Sequence, residues 1–181
     1  ASLKRLSLDT ALAPFYHGVA SGDPLTDAVI IWTRVTTPDT GTISGNWYFA
    51  TSPSITNIIQ DGQFTTEASR DYTVKIDVQN LQPGTYYYYR FEYQGNFSLT
   101  GRTKTAPTGS IDNLRFAVVS CSDYENGYFN AYESLNNRND FDAVIHLGDY
   151  IYEYGVGTNI PGREHEPANE IVTLGDYRGR F

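Results

Sequence analysis

The sequence predicts a chain of two domains, an all-β sandwich followed by the opening of an α/β unit. Three observations lead there. From about Phe15 to Thr105, short apolar and aromatic runs alternate with turn signals and show no helical period. Ala106-Pro107-Thr108-Gly109-Ser110 then has the composition of a linker. Beyond it, two short apolar runs, Leu114–Ser120 and Ala143–Leu147, flank a stretch with helical spacing, the pattern of a strand–helix–strand crossover. The domains are accordingly placed at 1–106 and 107–181.

Ala1–Leu12 has no clear period and reads as an extended leader. The expected strands of the first domain are Phe15–Ala20, Ala28–Val35, Asn46–Ala50, Tyr72–Val78, Thr85–Gln94 and Phe97–Thr103. Between them stand Ser21-Gly22-Asp23-Pro24, Thr37-Pro38-Asp39, Gln82-Pro83-Gly84 and Gln94-Gly95-Asn96, all turn formers. Tyr72, Val74, Ile76 and Val78 alternate with polar residues, as in a half-buried antiparallel strand. Such strands at short spacing predict a sandwich. The run Leu81-Gln82-Pro83-Gly84-Thr85-Tyr86-Tyr87 resembles the Leu-x-Pro-x-Thr-x-Tyr pattern of fibronectin type III and related immunoglobulin-like domains.

In the second domain Tyr128, Phe129, Tyr132 and Leu135 share one helical face, and Ser122 with Glu125 has the spacing of a capping box, although Gly127 weakens the helix. The two flanking strands would be parallel. Two parallel strands do not make a stable sheet, because such sheets are buried on both faces and need further partners. Leu174–Phe181 could open another helix. The α/β pattern therefore reads as the first βαβ part of a larger core, truncated.

A net charge of −8, with no Lys/Arg cluster, argues against nucleic acid as a specific partner and against an anionic membrane surface. An anionic substrate stays open, since bound cations can reverse the local field. Hydrophobic content of 40% with 19% charged residues is that of a soluble globular chain. Tyrosine is abundant, with 15 residues against 9 Phe, which favours sheet. The single cysteine excludes an internal disulfide. No apolar run approaches the ~20 residues of a membrane span, and no signal peptide is present. The sequence holds no methionine, so a cleaved export signal and a trimmed chain are both open readings.

Ligands of open α/β sheets bind at the carboxyl ends of strands. Cys121 follows the first strand and Asp149 the second; strands ~4.8 Å apart would let both side chains reach one ion. Tyr152 lies on a loop that can fold back over the same spot. Taken singly, each residue has a plainer explanation: a buried structural thiol, a turn with a helix cap, one tyrosine among many. Together, at strand ends and in this order, they point to a metal. A phenol that titrates near ~10 needs a strongly acidic cation to ionise at neutral pH, which disfavours calcium or magnesium on Tyr152 and suits trivalent iron. Asp149, with two oxygens, could bridge to a second, harder ion, and two such ions could clamp a phosphoryl group and supply a metal-activated hydroxide. His146 reads as a core or supporting residue, His17 as part of the sandwich, and Glu164-His165-Glu166 as a solvated stretch of a Gly/Pro-rich loop.

Gly148-Asp149-x-x-Tyr152 is similar to the Gly-Asp-x-x-Tyr block of purple acid phosphatases and other calcineurin-like metallophosphoesterases. More closely, the chain resembles the PhoD-type alkaline phosphatases and phosphodiesterases, through Phe15-Tyr16-His17-Gly18-Val19-Ala20-Ser21-Gly22-Asp23-Pro24, Ile31-Trp32-Thr33-Arg34, Gly101-Arg102-Thr103-Lys104-Thr105-Ala106-Pro107, Phe116–Cys121 and His146-Leu147-Gly148-Asp149-Tyr150-Ile151-Tyr152-Glu153. Thr173-Leu174-x-x-Tyr177-Arg178-x-Arg180 resembles that family's next helix. The resemblance implies an N-terminal immunoglobulin-like domain before a metallophosphoesterase core. It implies Fe3+ on Cys121, Asp149 and Tyr152, with Asp149 also contacting Ca2+. It further implies an exported, extracytoplasmic enzyme acting on phosphomonoesters and phosphodiesters, cell-wall polymers included. The family's later Asn/Asp-His-Glu block and distal metal ligands have no counterpart before Phe181, so these residues alone are expected to be inactive, completed by a C-terminal remainder. No residue is assigned as proton donor. The competing expectation is an extracellular sandwich module for binding or adhesion, without catalysis; a third is a related enzyme with other metals on the same fold.

Overall fold

A computed structural model describes residues 9–138, 140–157 and 160–181. They fall into two compact units, divided between Ile111 and Asp112.

The first unit contains β1 (Val19–Gly22), β2 (Val29–Arg34), β3 (Ile43–Ala50), β4 (Ile58–Thr66), β5 (Thr73–Val78), β6 (Tyr86–Tyr93), β7 (Asn96–Phe97) and β8 (Gly101–Lys104). One antiparallel sheet has the order β1-β2-β5; the other has β4-β3-β6-β7, with β8 also paired to β6. Alternation sets the faces. Val29, Ile31 and Thr33 lie opposite Val78, Ile76 and Val74, and all but the partly buried Ile76 are shielded from solvent. From the other sheet Phe49, Phe64, Tyr89 and Phe91 join the same core, which both sheets thus share. Fully burying a side chain of this size stabilises by about 1.5–3 kcal/mol. The Phe49 ring lies 5.1 Å from Tyr87 and 6.5 Å from Tyr89, and Phe91 meets Tyr89 edge-on at 6.2 Å.

Polar groups taken into this core are paired. Thr33 Oγ1 donates to Gly18 O at 2.8 Å, and Thr105 Oγ1 donates to Gln82 O at 2.6 Å while accepting from Thr85 N. Tyr87 Oη accepts from Gln82 N, so the Gln82-Pro83-Gly84 turn is fastened on both sides. Arg34 grips Asp71 through Nε and Nη2, both at 3.0 Å.

Four features depart from the expectation. Phe15 does not begin a strand: it is buried inside a turn, where its N–H meets Leu12 O and its carbonyl accepts from Gly18, and β1 starts only at Val19. Thr10–Leu12 forms a single 3-10 turn capped by Asp9 rather than an extended leader, whose residues 1–8 lie outside the described residues. β4 was not expected at all; Gln60, Asp61, Gly62 and Gln63 are poor strand formers, and pairing to β3 along its length holds them. Phe97–Thr103 is not one strand, because Ser98 turns inward: its hydroxyl accepts from Phe91 N and donates to Leu99 O, which separates β7 from β8.

The second unit holds β9 (Phe116–Val119), α1 (Asn130–Arg138), β10 (Ala143–His146) and α2 (Leu174–Arg180). β9 and β10 are parallel neighbours, Phe116 opposite Ala143 and Val119 opposite His146. Their apolar faces are open: Val118 is 58%, Val144 59% and Leu147 70% exposed. Among the described residues of this unit, only Ala117 and Ile171 are buried hydrophobics.

The expected Ser122–Glu125 capping box does not form, and the helix begins later, at Asn130, after Phe129 turns through φ +57°. Ser122 is taken by Tyr132 and His146. Glu125 is buried and accepts the N–H groups of Gly157 at 3.0 Å and His165 at 2.9 Å. A true capping box starts α2, where Thr173 and Asp176 exchange side-chain to backbone bonds.

Candidate metal centre

The parallel ladder carries past the strands. Leu147 N donates to Val119 O, Cys121 N to Gly148 O at 3.1 Å and Ser122 N to Asp149 O at 2.8 Å. Both chains then leave the sheet through left-handed turns: φ is +61° at Cys121, +119° at Gly148 and +51° at Asp149. At Gly148 no side chain would be tolerated cheaply. Two non-glycine residues held at positive φ beside each other mark a place where backbone cost is accepted for position.

The result is an exposed Cys121 whose Sγ lies 3.6 Å from Asp149 Oδ2. Tyr152 folds back to the same pair. Its phenol is pushed up to about 12, first by a hydrogen bond with Cys121, then by desolvation, then by the charges of Cys121, Asp149 and Asp123. Such a phenol stays neutral at physiological pH, and what would ionise it is a cation among the three donors. Among the described residues no three His, Cys, Asp or Glu side chains gather into a ligand cluster; the third donor here is a phenol. Thiol, carboxylate and phenol crowding one point is a donor set that fits a strongly acidic metal ion.

His146 stands behind this point. Its Nδ1 accepts the Gly148 N–H at 3.2 Å, which places the proton of a neutral ring on Nε2. Nε2 lies 2.9 Å from Ser122 Oγ and 3.1 Å from Tyr132 Oη. The ring also meets Tyr150 edge-on at 5.3 Å. His146 is thus half-buried and tied to the Gly148 turn. Asp123, which spacing alone did not single out, adds negative charge near Tyr152 while its carboxylate holds Glu125 N and Asn126 Nδ2.

His17 lies in the first unit, its Nδ1 3.4 Å from Arg34 Nη1. Of Glu164-His165-Glu166, expected as a solvated stretch, Glu164 and Glu166 are exposed but His165 is not. His165 is buried, its Nε2 3.9 Å from Glu125 Oε2, and burial lowers its pKa against the pull of that carboxylate. Long-range closure onto Glu125 draws it in, which local composition does not reveal.

Residues 2–107 match the family model described as PhoD-like phosphatase, N-terminal domain, and residues 116–181 the model described as PhoD-like phosphatase. The chain belongs to the PhoD-like phosphatase family. Among its relatives, alkaline phosphatase D of Bacillus subtilis (strain 168) is 39% identical over 181 residues, an alignment that covers 92% of this chain and 30% of that protein. A solved structure of PhoD superimposes with a TM-score of 0.84 at 37% identity, over 92% of this chain and 34% of that one. The chain therefore spans about a third of the length of either relative. Its mostly β architecture with few helices is that of the PhoD structure.

Proposed function

We propose that the complete protein hydrolyses phosphoric monoesters and diesters, as an extracytoplasmic enzyme of the alkaline phosphatase D kind. The observation that carries this reading is the convergence of Cys121, Asp149 and Tyr152 at the carboxyl ends of two parallel strands. Family membership supports it, since the relative sharing 39% identity is an alkaline phosphatase.

Fe3+ is the resident ion this donor set suits; Cys121, Asp149 and Tyr152 would hold it, and Asp149 would also serve Ca2+. Bound there, the cations supply Lewis acidity and positive charge toward a phosphate ester. The chain's own residues do the rest. Cys121 and Asp149 would offer thiolate and carboxylate donors to the ions, and Tyr152 a phenolate donor. His146, through the Gly148 N–H, steadies the turn from which Asp149 projects.

In this reading residues 1–106 are an immunoglobulin-like sandwich and residues 107–181 open the metallophosphoesterase core. The open faces of β9 and β10 support a core that the remainder of the enzyme completes with further strands and ligands. Among the described residues no helix is long and apolar enough to cross a membrane. The substrate is a phosphate ester, including the phosphodiester links of cell-wall polymers. The test is hydrolysis of nitrophenyl phosphate. The full-length protein is expected to turn it over in a metal-dependent way, and the 181-residue chain alone to show none. Metal-dependent turnover by the isolated chain would sink the claim that its site is incomplete.

A further inference from the structure

We propose that Arg180, more than thirty residues away from the nearer strand, is the positioning residue that presents the Tyr152 phenol to the metal centre. The proposal rests on the reading of Tyr152 as an iron ligand and adds to it a device that no strand-end geometry requires.

The segment after Asp149 is irregular, so its carbonyls have no ladder to satisfy them. α2 meets this need. Arg180 Nη1 donates to Tyr152 O and to Tyr154 O, both at 2.7 Å; Nη2 donates to Pro167 O at 2.5 Å and to Asn169 O at 3.0 Å. Among the described residues all its hydrogen bonds end on backbone carbonyls, and its Nε is buried without a partner. A guanidinium is a planar fork with five donors, so one side chain can hold four carbonyls in a fixed geometry, which an ammonium cannot match.

The rest of α2 works on the same segment. Tyr177 Oη donates to Glu153 Oε1 at 3.0 Å, and the Phe181 ring lies 5.7 Å from that of Tyr150. Beneath them, Val156 N donates to Ala168 O and Ile171 N to Glu153 O, tying the two clamped stretches together. The Thr173–Asp176 capping box fixes the start of the helix. Holding the Tyr152 carbonyl fixes the peptide plane next to the Cα that carries the phenol. The direction in which the ring enters the site is therefore set by Arg180 rather than by Tyr152 itself.

The test uses the full-length protein in two arms. In the metal-free form, hydrogen exchange at the amides of Val156 and Ile171 should speed up by about tenfold or more in Arg180→Ala and less in Arg180→Lys, while Tyr152→Phe leaves it unchanged. In the Fe3+-loaded form, the visible phenolate-to-iron band should weaken several-fold and shift in Arg180→Ala, and added guanidinium ion should restore it. Should Arg180→Ala fail to fold, Arg180→Lys decides, with the same signs and smaller size. Unchanged exchange, or a Tyr152-dependent band that survives both Arg180 variants, overturns the positioning role alone. A wild-type spectrum that Tyr152→Phe does not alter overturns the iron reading and the positioning role with it.

Discussion

The two units bury their side chains in different ways. The first closes two antiparallel sheets over one core in which Phe49, Ile31, Val35, Val78 and Phe91 lose all contact with water. The second presents two parallel strands whose apolar faces remain largely exposed, and it is organised instead by polar contacts: Glu125 gathering Gly157 and His165, Arg180 gathering four carbonyls, His146 holding Ser122 and Gly148. An antiparallel sandwich can be complete in about a hundred residues. A parallel sheet cannot be complete in two strands. The candidate metal centre sits in the open unit, where the fold is held by hydrogen bonds that aim backbone groups rather than by a packed interior.

Substitutions at matched positions should expose this difference. The largest effect is expected in the closed core: Phe49→Ala removes a ring packed against Tyr87 and Tyr89 and should cost about 3–5 kcal/mol in denaturant unfolding of this chain. A cost under about 1 kcal/mol would mean that the core is looser than the packing implies.

The next effect is on pH. His165 is held below 6.5, chiefly by burial, so below that value the unfolded chain binds more protons than the folded one. Stability of the second unit should therefore rise with pH across this window and fall as pH drops from 6.5. His165→Gln should flatten that slope, while the first unit keeps its own slope of the same sign from His17, whose pKa is lowered by burial and by Arg34. Following unfolding midpoints from pH 7 to about pH 5 in the two proteins checks it.

The smallest effect is expected at the open face. Val118→Thr should change the stability of this chain by less than about 0.5 kcal/mol, because Val118 is already mostly in water. In the full-length protein the same substitution should cost about 1–3 kcal/mol, since a hydroxyl would then be buried against further strands. Equal small effects in both would contradict a core completed by the remainder of the enzyme.

Legibility followed the range of the forces. Thr73–Val78 could be read in the sequence because its alternation is local and the core enforces it. β4 could not, because Gln60 to Gln63 are held by register with β3 rather than by their own preference. Glu125 looked like a helix cap, and its actual partners lie 32 and 40 residues away. At the candidate site, Cys121 and Asp149 stood out because apolar runs end just before them, and strand ends are where ligands gather. Tyr152, one of 15 tyrosines, carried no local signal beyond its spacing from Asp149 and the family resemblance. Arg180 entered only through the family resemblance of its helix, and its role did not show, since a clamp on four carbonyls depends on where α2 lands.

The most direct measurement is the iron content and visible absorption of the full-length protein, compared with its Cys121→Ser and Tyr152→Phe variants. The expected result is a coloured, iron-bearing wild type whose charge-transfer band disappears and whose iron is lost in either variant. A colourless, iron-free wild type with undiminished phosphatase activity would contradict the assignment of Cys121, Asp149 and Tyr152 as the iron-binding set.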